Sequence, residues 1–156
     1  MNQILELIYG LKDNDDKYAY QCLKKLESES LISDVVYPYF NYFTELLDSP
    51  NSYHRNRGIL LIAANAKWDT ENKIDGIIDK LLKHVEDEKP ITARQCIKAL
   101  PLVAQYKPDL ADDISKTLRN ANTLMYKDSM QPLVYKDITE ALKLIDNLNN
   151  KSERGK

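Results

Sequence analysis

The chain has 2 histidines, His54 and His84, and 2 cysteines, Cys22 and Cys96. These are the side chains that could hold a soft metal, move protons near neutral pH or act as nucleophiles. Their placement argues against each role. A zinc site needs His and Cys ligands clustered at close spacing, and these four are scattered. His84 lies in LLKHVEDEK, a predominantly charged stretch that is expected to face water. Cys22 and Cys96 share a local pattern 74 residues apart, which reads as two small core residues. The carboxylate pairs Asp15-Asp16 and Asp112-Asp113 fall at turns and helix starts, where capping and the helix dipole account for them. There is no glycine-rich phosphate loop, no G-x-S-x-G and no H-E-x-x-H. The expectation is a non-enzymatic protein with no cofactor, metal site or catalytic residue.

The elements that carry these residues are helical. Among 156 residues there are only 4 Gly and 6 Pro, and Val is sparse beside Leu, Ile, Ala, Lys, Glu and Asp, which favours long helices over strands. Apolar residues recur at helical spacing in eight segments. Ile4, Leu7, Ile8 and Leu11 mark the first, Ala19, Cys22, Leu23 and Leu26 the second. Val36, Phe40, Phe43 and Leu47 mark the third; a fourth runs from Ser52 to Ala66. Ile74, Ile78, Leu81 and Val85 mark the fifth, which Thr70 can cap. The sixth runs from about Ile91 to Tyr106, with Pro101 inside it. Leu110, Ile114 and Leu118 mark the seventh, and Ile138, Ala141, Leu142 and Ile145 the last. A single domain over 1–149 is expected, with 150–156 as a disordered tail. No apolar run is long enough to span a bilayer. The N-terminal MNQILELIYGLKDNDD lacks a basic region and a cleavage site, so a cytoplasmic location is expected.

The segments repeat. Gln21-Cys22-Leu23-Lys24-Lys25-Leu26 matches Gln95-Cys96-Ile97-Lys98-Ala99-Leu100 at an offset of 74. Half that offset aligns Arg57 with Arg94, and Leu60 with Ile97. Phe40, Phe43 and Leu47 align with Ile78, Leu81 and Val85 at an offset of 38, and the last helix joins at 42. Leu31, Trp68 and Tyr106 fall at equivalent turns between units, so Trp68 reads as a plug between neighbouring repeats. Phe40 and Phe43 hold core positions, which leaves Tyr39 and Tyr42 at the edge of the core or outside it.

One unit, LLDSPNSYHRNRGILLIAANA, resembles the HEAT/armadillo-type repeat: an apolar helix, an Asp-Pro-containing turn, an Arg, then Ala- and Leu-rich residues. Ser49 stands where the motif has its Asp, and Arg55 takes the Arg position. Asp87 and Arg94 match in the next unit with one extra residue between them. The first and last units have only Lys17 and Lys136 nearby. The resemblance implies an all-α, right-handed α-α superhelix of about eight helices, with the second helix of each pair lining a concave, partner-binding surface.

Charge adds a direction. The second helices, taken as 17–28, 52–66, 90–106 and 130–148, carry +5 in total, and the first helices carry −5. The whole chain is nearly neutral at −2, so any basic groove is local. The leading expectation is an interaction module that binds a protein or peptide, acidic in character, through Lys24, Arg55, Arg57, Arg94, Gln95 and Lys98. The alternative is a nucleic-acid-binding protein distantly similar to the HEAT-like alkylpurine DNA glycosylases. Those are longer and far more basic on that face, and no Asp/Trp/Arg active-site grouping is evident here.

Overall fold

The computed structural model describes residues 2–154, and among them the chain is all-α, with eight helices and no strand. Contacts divide the chain into two compact units, Met1–Ile77 and Ile78–Lys156. The single domain expected over 1–149 therefore carries an internal division.

The first unit holds α1 (Gln3–Gly10), α2 (Asp16–Ile32), α3 (Phe40–Leu46) and α4 (Ser52–Ala64). Helix α1 packs on α2, α3 on α4, and α2 on α4. Ile8, Leu11, Leu26, Phe40, Phe43, Leu46, Ile59 and Ile62 are fully buried. Tyr39 and Tyr42 lie half-buried at the rim of this core. Two links show that α2 and α4 run in the same direction. Arg57 meets Asp16 near the helix starts, and Asn65 donates to Ser30 at 3.2 Å near their ends.

The division falls within α5 (Lys73–Leu82). The second unit continues with a 3-10 turn (Lys83–Glu86), α6 (Pro90–Tyr106), α7 (Ala111–Arg119) and α8 (Gln131–Arg154). Helix α6 packs on the 3-10 turn, on α7 and on α8, and α7 packs on α8. Pro101 is buried inside α6, which continues past it to Tyr106. Residues 150–154, expected in the tail, form the end of α8; 155–156 lie outside the described residues.

Three hairpins begin their second helix in the same way. Asp13 Oδ1 accepts from Asp15 N at 2.9 Å, Ser49 Oγ from Asn51 N at 3.1 Å, and Asp87 Oδ1 from Lys89 N at 2.9 Å. In each case the donor is the N-cap residue of the helix that follows. A short polar side chain satisfies a turn amide that the helix cannot. These turns are 36 and 38 residues apart. The 74-residue match therefore divides unevenly, and Gly58, not a residue offset by 37, is the counterpart of Cys22 and Cys96.

At that position the second helix of each hairpin comes close to the first. A Cβ on Gly10 would collide with Cys22 Sγ. A Cβ on Gly58 would lie 2.7 Å from the Phe43 carbonyl oxygen and 2.9 Å from Leu46 Cβ. Cys96 Sγ donates to the Leu81 carbonyl at 3.6 Å. Small residues at the crossing let the two helices approach closely, and the Leu and Phe around them fill the space on either side.

The turn before α5 is built on Asp69 rather than on Thr70. Buried Asp69 accepts from Lys73 N at 2.8 Å and Ile74 N at 3.0 Å, and Tyr37 Oη donates to it at 2.5 Å. Asn72 takes the left-handed conformation (φ 55°) that Asn adopts more readily than most residues. Desolvation, then the Asp69 contact, pushes the Tyr37 hydroxyl well above its ordinary pKa.

Candidate partner-binding face

The second helices α2, α4, α6 and α8 were expected to present a basic groove, and the structure withdraws three of its cations. Arg55 and Arg57 are only 6% and 5% exposed. Arg55 Nη1 donates to the Ser49 and Pro50 carbonyls, both at 3.1 Å, and so ties down the turn ahead of its own helix. Arg57 Nη1 donates to the Leu11 carbonyl at the end of α1 at 2.8 Å, with Nη2 3.4 Å from Asp16. A guanidinium has five donors and no acceptor, which suits it to carbonyls that have no helical partner. Arg94 Nε donates to the buried Asp137 at 2.6 Å, and the bond raises the Arg94 pKa further. Arg55 and Arg57 are internal struts and the half-buried Arg94 is paired with Asp137, so the charge total overstated the positive surface.

Lys24 and Lys98 are exposed, and Gln95 is half-buried. Lys24 lies 3.4 Å from Glu27, which raises its pKa, and 5.3 Å from the Tyr20 ring centre. It also lines an open cleft of about 520 Å³ between α1 and α2, together with Ile4, Glu6, Leu7 and Lys25.

What reasoning from charge missed is the apolar content of these helix faces. Tyr20 and Leu31 on α2 are 56% and 70% exposed. Ile91 and Leu102 on α6 and Leu133 and Leu144 on α8 are exposed as well. In each helix the two lie eleven residues apart, three turns along one face. Tyr53 is exposed on α4. On α2, Lys17, Tyr20, Lys24 and Leu31 fall within an arc of about 60°, at 100° per residue. The eleven-residue spacing was present in the sequence, next to the buried stripes that drew attention first.

The histidines serve the turns. His54 Nδ1 lies 3.0 Å from Ser49 Oγ. Burial first, then Arg57 and Lys12, holds its pKa below the ordinary histidine value. His84, expected in water, is buried, with Nδ1 2.8 Å from Asp87 Oδ2. Tyr126 Oη donates to the Asp87 carbonyl at 2.6 Å, and burial followed by the Asp87 charge pushes its pKa up to about 12. Both cysteines are buried thiols. Burial, then Asp87, raises Cys96 far above the range in which a thiolate forms. Trp68 is half-buried, and its Nε1 donates to the Ser30 carbonyl at 2.7 Å, across the end of α2. Leu31 and Tyr106, its expected equivalents, are exposed.

Among the described residues, no group of three or more His, Cys, Asp or Glu could hold a metal ion, and no helix is long and apolar enough to cross a membrane. No family model, curated protein or solved structure matches the chain.

Proposed function

We propose that the chain is a HEAT/armadillo-type α-α superhelix acting in the cytoplasm as a non-enzymatic interaction module. Its second helices line the concave face, and α2 among them binds an acidic segment of a protein partner. The observation that carries this reading is the row on α2: Lys17, Tyr20, Lys24 and Leu31 all stand exposed on one arc. Tyrosine and leucine supply contact area, and the lysines favour carboxylates; aromatic residues are enriched at such interfaces. Arg55, Arg57 and Arg94 serve the fold in this reading, while Lys24 stays on the partner-facing side.

Affinity capture with the wild-type chain and a Tyr20→Ala/Lys24→Glu variant, read by mass spectrometry, tests it. The expected outcome is loss of one or more specific proteins from the variant while its circular dichroism and melting temperature are unchanged. Equal recovery by both chains would remove α2 as the binding face. A duplex DNA titration at low salt supplies the contrast, since phosphate contacts give binding that collapses as salt rises.

A further inference from the structure

We propose that the α6–α8 face of the second unit is a self-association surface, occupied by the same face of a second copy of this chain. It stands on residues other than the α2 row and goes beyond the partner proposed there.

The two helices run parallel. Tyr126 meets Asp87 just ahead of them, and Arg94 meets Asp137 within their early turns, so the links advance along both in the same sense. On α6, Ile91, Arg94, Lys98 and Leu102 fall within an arc of about 80°. On α8, Leu133, Asp137, Glu140 and Leu144 fall within about 60°. The Arg94–Asp137 bond sets these arcs side by side and neutralises its own two charges. What is left outward is an aliphatic residue, a charge seven positions on, and a second aliphatic residue four positions after that, on both helices. Ile91, Leu102, Leu133 and Leu144 are 66%, 40%, 39% and 54% exposed.

The charges are opposite: Lys98 on α6 and Glu140 on α8, both exposed. Each lies about one turn beyond the Arg94–Asp137 bond, so the two stand at nearly the same height. A twofold axis parallel to the helices would lay α6 over α8 of the second copy. Lys98 would then face Glu140 of the partner subunit twice. Ile91 and Leu102 would meet Leu133 of the partner subunit and Leu144 of the partner subunit. This is the self-complementarity that an isologous contact requires. A face that pairs with itself in charge, and exposes four aliphatics, fits a second copy better than a strongly acidic or basic partner.

Sedimentation velocity over a concentration series tests this on the full chain. Wild type is expected to shift from monomer to dimer as concentration rises. Lys98→Glu and Glu140→Lys each create two like-charge contacts and should weaken the dimer by roughly tenfold or more. The double variant Lys98→Glu/Glu140→Lys restores opposite charges and should recover the dimer. Leu102→Asp should stay monomeric while keeping wild-type circular dichroism. A wild type that is monomeric at every concentration overturns the proposal. So does dimerisation indifferent to all four variants, or a double variant no better than its parents. Because the α2 row is untouched in these variants, partner capture through it can succeed or fail independently.

Discussion

Replacing Arg57 by alanine separates a strut from a partner contact. The guanidinium is 5% exposed and donates at 2.8 Å to the Leu11 carbonyl, which closes the end of α1. Removing a charged donor from a buried carbonyl costs about 1.5–3 kcal/mol. The second bond, to Asp16, adds little. It is 3.4 Å long and the Asp16 side chain is 63% exposed, so solvent screens it to less than about 0.5 kcal/mol. The aliphatic stem of Arg57 is also lost from the packing. Together these put the destabilisation at about 2–3 kcal/mol. With a urea slope of roughly 1–3 kcal/mol per molar, the midpoint should fall by about 0.7–3 M. Arg57→Lys keeps the charge but not the two-pronged geometry, and should fall between. Urea denaturation followed by circular dichroism at 222 nm reads this directly. A midpoint unchanged in Arg57→Ala would mean that the Leu11 carbonyl finds another donor or water at no cost. The assignment of Arg57 to the interior would then be wrong.

Other consequences can be checked with the same purified chain. Gly58→Ala should destabilise by about 1–2 kcal/mol: overpacking against the Phe43 backbone carbonyl outweighs the gain in helix propensity. A rise in the melting temperature would show that α3 and α4 separate freely. Neither cysteine should react with a thiol reagent in the native state, and both should react in denaturant, because both are buried; fast native labelling would contradict that burial. His54 is held below its unfolded pKa, so the folded chain binds fewer protons than the unfolded one as pH drops through the ordinary histidine range. Stability should therefore fall on acidification from about pH 7 to 5, and His54→Gln should flatten that part of the curve. Identical pH curves for the two chains would contradict it.

Helical periodicity made the secondary structure legible because each helix buries one face: Phe40, Phe43, Ile138 and Ile145 are all where their spacing put them. The internal match was legible through Cys22 and Cys96, two small residues that are both buried against the preceding helix. Its exact register was not. Turn spacings of 36 and then 38 residues look like two of 37 until the turn amides are assigned to Asp13, Ser49 and Asp87. The face was the least legible part. Arg55 and Arg57 have the residue type of a binding surface, and only the positions of the Ser49, Pro50 and Leu11 carbonyls reveal that they point inward. His84 was misread for a related reason: the charges around it are exposed, but its own side of the turn closes onto Asp87.

From Asp13 to Cys22, from Ser49 to Gly58 and from Asp87 to Cys96 the distance is nine residues every time. The acceptor that starts the second helix and the small residue at its crossing are thus held on one ruler, two turns into the helix. The difference between the 36- and 38-residue turn spacings is absorbed elsewhere, between one crossing and the next acceptor. Insertions and deletions should be tolerated in zones. Within a ruler, one added residue turns the small side chain away from its partner helix by about 100° and should abolish folding of that hairpin. In the connection at 33–35, the same addition should pass with little effect. Such a chain can take up a change of length in its connections without loosening any hairpin.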